Sequence, residues 1–260
     1  MLECVVFHAA REGTGSSLLT ANTAAIFAAR GRRVGVVEAN LHDGGLTLLF
    51  GLAEQRIKAT FNDYLLERAN GSATFYDVTP ALPQAGGRIW LSPASSRPRD
   101  LTTLLQTGFR IERITDDLFT LAATLQLDVL LVDTHAGLQE VSLLTELSFA
   151  LAQTLVLVLR LDQADYQGTG VALDVARTLK VPQIVLLANQ VATAFDPVNV
   201  KQELEATYGA KVAAMLPYST DIAAHGSAGL FVLRYPKHPL TQLLNDLTST
   251  LSQRPNSLTT

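Results

Sequence analysis

Seven short apolar runs recur along the chain, near residues 3–8, 34–38, 88–92, 128–133, 154–159, 183–188 and 212–216. Most are blocks of Val, Leu and Ile without polar alternation, the pattern of strands covered on both faces. Between them lie segments that predict helices near 16–30, 60–69, 98–106, 110–126, 138–152, 166–179, 198–207 and 239–252. Gly31 stands where a glycine ends a helix, and Asp196-Pro197 supplies a cap and a first-turn proline for another. Strands alternating with helices predict an α/β fold, a doubly wound and mostly parallel sheet with helices on both faces. Such sheets bind ligands outside the carboxyl ends of their strands. One domain is expected over residues 1–252, with 253–260 as a loose polar tail.

Polar residues gather at those carboxyl ends. After the first run comes His8-Ala-Ala-Arg11-Glu12-Gly13-Thr14-Gly15-Ser16-Ser17-Leu18. A glycine loop between strand and helix is the frame in which backbone N–H groups and a helix N-terminus hold phosphate. In a P-loop a lysine adds charge and a Ser/Thr hydroxyl binds magnesium. Gly13, Gly15 and Ser17 fit that plan, but Ser16 stands at the lysine position and the first lysine of the chain is Lys58. An ordinary glycine turn is the alternative reading. Asn40, Asp133 and Asn189 end three further strands. Asp133 suits a magnesium-organising carboxylate, or else a cap for the helix predicted after it.

Composition changes this picture little. The chain has 260 residues, 48% of them apolar, enough to bury a large core. A net charge of −4 gives no strong nucleic-acid signal. The single cysteine, Cys4, sits in the first apolar run and cannot form an internal disulfide, which suggests a reducing, cytoplasmic setting. No run approaches the ~18 apolar residues of a membrane span. The last helix, Leu240 to Leu251, lacks the basic face that binding to anionic lipid requires.

The order of motifs resembles the MinD/ParA family of deviant-Walker P-loop ATPases. Arg11 falls on the family's signature lysine, Gly13 and Gly15 on its glycines, Ser16 on its second lysine and Ser17 on its magnesium threonine. Arg32 to Leu41 looks like the second strand with its D-x-D-L ending, and Asp43 to Leu52 like switch I. Leu130 to Gly137 resembles the Walker B motif D-x-P-A-G, with His135 in place of proline. Ile184 to Asn189, Met215 to Tyr218 and Arg234 to Leu240 follow in the family's order.

The resemblance implies ATP and Mg²⁺ as cofactors. It implies that Gly13, Thr14, Gly15, Ser16 and Ser17 cradle phosphate, with Asn189 and Pro217 beside adenine. Ser17, Glu38 and Asp133 then form the metal set, and Arg11, Asn40 and Asp133 the catalytic one. Glu38 and Asn40 replace two aspartates, and a neutral Asn40 cannot act as a carboxylate base. Glu12 places a second anion beside the cradle. The reading is a degenerate member, a homodimeric nucleotide-binding or pseudo-ATPase scaffold acting with protein partners in pilus, flagellum or partition assemblies. The alternative is an active ATP-dependent dimerisation switch in which Arg11 replaces the signature lysine. The stretch Asn40 to Leu52 is similar to the CpaE/TadZ pilus-assembly branch. A metal-insertion or reductase relative fits poorly, since no cysteine pair exists to bridge a metal. In a dimer, Arg11 of each subunit is expected to meet Glu12 of the other.

Overall fold

The computed structural model describes residues 2–41, 44–80, 82, 86–137 and 142–253. The strands are β1 Glu3–Ala9, β2 Arg33–Ala39, β3 Tyr76–Asp77, β4 Arg88–Ser92, β5 Val129–Thr134, β6 Thr154–Leu159, β7 Gln183–Val191 and β8 Lys211–Pro217. The helices are α1 Ser16–Ala29, α2 Gly45–Leu49, α3 Phe61–Leu65, α4 Pro98–Thr107, α5 Ile111–Thr124, α6 Ser142–Leu151, α7 Gln163–Thr178, α8 Pro197–Tyr208, α9 Thr220–His225, α10 Phe231–Arg234 and α11 Pro239–Leu251. The strands form one sheet in the order β3-β4-β2-β5-β1-β6-β7-β8. All pairings are parallel except that of β3 with β4. The chain is the expected doubly wound α/β sheet.

Alternation along the buried strands builds two cores. Val5, Phe7, Val36 and Leu131 pack toward α1 and α11, while Cys4, Val6, Leu130 and Phe149 belong to the opposite layer. Helix α1 is buried from Leu19 to Ala28, and its alanines let neighbouring backbone approach closely. Gly87, leading into β4, is one such neighbour. Helix α11 buries Leu240, Leu244, Leu247 and Leu251, so its apolar side covers α1 and β8. Among the described residues no helix is long and apolar enough to cross a membrane.

The structure differs from the pattern in a few elements. The helix expected over 60–69 stops at Leu65. A Thr60–Asp63 capping box starts it, and Glu67 then takes a left-handed φ of 58°. That turn sends Arg68 into an ion pair with Asp100 at 2.6 Å. Helix α7 starts at Gln163, ahead of the expected 166, because Asp162 caps it by accepting from the Asp165 N–H at 3.0 Å. Strand β3 and helices α2, α9 and α10 are too short to leave a periodic signal. Residues 138–141, the expected start of α6, lie outside the described residues, as do His42 and Asp43 of the switch-like stretch and 254–260 of the tail.

Candidate functional site

The loop from Ala10 to Ser17 joins β1 to α1 at the carboxyl edge of the sheet. Gly13 and Gly15 have φ of 76° and 93°, a region open to glycine at little cost. Gly15 has a second constraint, since a Cβ there would stand 2.7 Å from Asn189 Nδ2. The Thr14 hydroxyl donates to the Arg11 carbonyl and is buried inside the turn. Two amides from the end of β7 brace the loop from behind. Asn189 Nδ2 donates to Thr14 O at 2.7 Å, and Gln190 Nε2 donates to Gly13 O at 2.9 Å. Gln190 reaches it from a left-handed backbone, φ 55°. No sequence signal marked Gln190, whose role comes from a left-handed residue at an irregularity in β7 that only the fold reveals.

Asp133 is the hub. It ends β5 between Phe7 of β1 and Glu38 of β2 in register, with 1% of its surface exposed. Ser16 Oγ donates to its Oδ1 at 2.7 Å and Ser17 Oγ to its Oδ2 at 2.5 Å. The residue at the lysine position thus faces the carboxylate. Asn40 lies beside them: its N–H donates to Asp133 O at 3.0 Å, and its Oδ1 meets His135 Nδ1 at 3.0 Å. His135 therefore joins two loops at the strand ends.

Glu38 is fully buried and holds backbone. Its Oε1 accepts from the Leu46 N–H at 2.8 Å and its Oε2 from the Ala94 N–H at 2.9 Å. These bonds tie α2 and the end of β4 to β2. Pro217 ends β8 opposite Val191 of β7, on the same edge as Asn189. The structure brings Ser16, Ser17, Asp133 and Asn40 into one bonded group, with Thr14 held by Asn189 and Gly13 by Gln190 behind it.

Arg11 points elsewhere. Its Nη1 lies 3.2 Å from Asp162 Oδ1 and 3.5 Å from Asp165 Oδ1, at the start of α7. The Asp165 N–H at the helix cap holds Asp162 below the usual carboxylate range, with Arg160 and Arg11 adding to the effect. The sequence does carry a sign of this site: Asp162 and Asp165 open α7 as cap and third residue. Their pairing with Arg11 is invisible locally. Glu12 is exposed and makes no ion pair among the described residues.

Under the loop, His8 is fully buried. Its Nδ1 lies 2.8 Å from Thr134 Oγ1, its ring meets Phe149 edge-on at 5.0 Å, and its Nε2 has no partner. Burial, and secondarily the charge of His135, lowers its pKa to about 3. The folded state therefore holds His8 neutral where an unfolded histidine, near 6.5, takes a proton. Stability from this group is complete above pH ~6.5 and falls as pH drops toward 3. By pH 5 the loss is about 2 kcal/mol. Urea unfolding at pH 7 and pH 5 measures it: His8→Asn is expected to remove that part of the acid sensitivity, and an unchanged pH dependence contradicts the account.

The carboxylate of Asp133 and the hydroxyl of Ser17 are hard oxygen donors suited to Mg²⁺, and the loop backbone suits phosphate. The side chains fit a triphosphate less well. Arg11 is the only basic residue in the loop and is paired away from it. A phosphate anion beside Asp133 at ~4 Å meets repulsion on the order of 4 kcal/mol at an effective dielectric of ~20.

No sequence-family model and no curated protein sequence matches the chain. Solved structures do. MinD from Pyrococcus horikoshii complexed with Mg-ADP superposes with TM-score 0.78 at 18% identity, covering 97% of both chains. The MinC:MinD cell division complex of Aquifex aeolicus gives 0.78 at 18% identity, over 96% of this chain and 95% of that one. The chain has the fold of the MinD/ParA ATPases. The fold also carries other chemistry: cobyrinic acid a,c-diamide synthase from Mycobacterium smegmatis, with bound ADP and magnesium, matches at 0.75 and 17% identity over 100% of both chains. A MinD/ParA-like fold therefore leaves function to the site residues.

Proposed function

We propose that the protein is a MinD/ParA-like scaffold, a homodimeric cytoplasmic pseudo-ATPase that assembles with protein partners in spatial positioning. The observation that carries this reading is the Ser16–Asp133–Ser17 group. Where phosphoryl transfer needs the charge of a lysine, the neutral hydroxyl of Ser16 stands and donates to Asp133. If nucleotide binds, Asn189 and Pro217 flank adenine; Asn189 Nδ2 is engaged with Thr14, which leaves Oδ1 to accept from an adenine amino group. Ser17 and Asp133 would hold Mg²⁺, while Glu38 keeps to its backbone partners. Residues 1–252 act as one domain.

One observation favours the switch reading. The Arg11 side chain is 48% exposed; its nearer partner, Asp162, is at the surface, and its farther one, the buried Asp165, keeps Arg160 at 3.2 Å if Arg11 leaves. A surface pair contributes at most ~1 kcal/mol, so Arg11 can leave Asp162 for a partner subunit at small cost. Sedimentation velocity with and without ATP separates the two readings. A scaffold dimerises without nucleotide, and Arg11→Glu weakens the dimer while added Glu12→Arg restores it. A monomer that dimerises only with ATP makes the protein a switch.

A further inference from the structure

A cavity of about 600 Å³, with no P-loop residue in its lining, lies between α2 with the turn after it and the segment joining β4 to α4. Its volume is that of a small-molecule site. One wall is apolar, formed by Leu48, Leu52, Ala53 and Ile57. Leu48 is 64% exposed and covers no core. The opposite wall is polar, with Thr60, Ser95 and Ser96. The hydroxyls of Thr60 and Ser95 already serve Asp63 and Asp100.

The charges of the lining decide the ligand class. Asp63 and Arg97 neutralise one another at 2.8 Å. Lys58 and Glu54 remain, one of each sign, exposed and without an ion pair among the described residues. The lining thus has no net charge, and a head group of either sign meets an unfavourable neighbour. A partner side chain inserted from a protein surface leaves most of this volume empty, whereas a small molecule fills it.

We propose that this cavity binds a small amphiphile of no net charge, with an aliphatic or aryl body against Leu48, Leu52 and Ile57 and a hydroxyl or amide head toward Ser96. Glu38 makes the site more than a surface dent. Its carboxylate fastens the backbone of Leu46 in α2, the helix that carries Leu48, and of Ala94 in the lining across from it, one strand away from Asp133. Occupancy therefore bears on the spacing of α2 and β4 next to the loop group.

Nile red, an uncharged dye, serves as probe with the full chain. One site per chain is expected, with blue-shifted emission, displaced by 1-decanol more strongly than by decanoate or decylamine. Leu48→Gln is expected to weaken the dye roughly tenfold, as loss of one buried leucine contact implies. Ala53→Trp, which fills the mouth, is expected to abolish binding. Both positions are exposed, so far-UV circular dichroism should stay unchanged. Val171→Gln, an exposed apolar position on α7, is the control and should bind dye as wild type does. Absence of saturable binding, equal loss in the control, or stronger displacement by either charged decyl compound overturns the proposal.

Discussion

Purified protein is expected to release phosphate from ATP no faster than a buffer blank, with or without Mg²⁺. Phosphoryl transfer relies on positioning and charge, and removing a single preorganised donor typically costs about 10²–10³-fold. Two such groups are missing here. Ser16 stands at the lysine position and is bonded to Asp133, and Asn40 offers a neutral amide already engaged with His135. Their combined loss is roughly 10⁴–10⁶-fold if the effects multiply. Malachite-green phosphate release over hours, with Asp133→Ala as the control, gives the answer. A magnesium-dependent rate that Asp133→Ala abolishes would falsify the pseudo-ATPase reading and promote Arg11 to the signature role.

Gly87→Ala is expected to be among the most damaging single substitutions in the fold. A Cβ at this position would lie 1.9 Å from the Ala28 carbonyl oxygen and 2.9 Å from its carbon. Both are backbone atoms near the end of α1, the helix buried between the sheet and α11, and neither can swing aside as a side-chain tip does. Overpacking that relaxes usually costs 1–3 kcal/mol; here the backbone of α1 or the entry to β4 must move, so about 4 kcal/mol or more is expected. Thermal unfolding should show a fall in Tm of roughly 8 °C or more. Gly44→Ala, where a Cβ meets nothing within 4 Å, is the matched control. Equal stability of the two variants contradicts the packing of β4 on α1.

What the sequence revealed depended on how local the cause was. Every strand but β3, and the glycine loop, were legible because each is set by a run of neighbouring residues. Asp133 could be singled out because it ends an apolar strand and leads the D-x-x-A-G stretch. The resemblance put Glu38 in the metal set; its two backbone partners, eight and 56 positions away, are brought together only by the fold. Arg11 read as a residue reaching toward another subunit, while its carboxylate partner lies 151 residues along the same chain. Gln190 left no trace because a left-handed residue inside a strand has no signature in a glutamine. The cavity was hidden because its two walls come from segments that α3, β3 and β4 separate along the chain.

Cys4 has a practical consequence for studying the cavity. It is buried, and burial pushes its thiol up to about 12. At neutral pH almost none of it is thiolate, the form that attacks maleimides and iodoacetamides. The natural chain is thus chemically silent toward thiol reagents while folded, without any cysteine being removed. Cysteines introduced at Leu48 and Ser96, on opposite walls of the cavity, can carry a pair of spin labels or fluorophores in otherwise native protein. The distance between them then reports opening and closing of the α2 wall directly, in solution, as nucleotide or amphiphile is added.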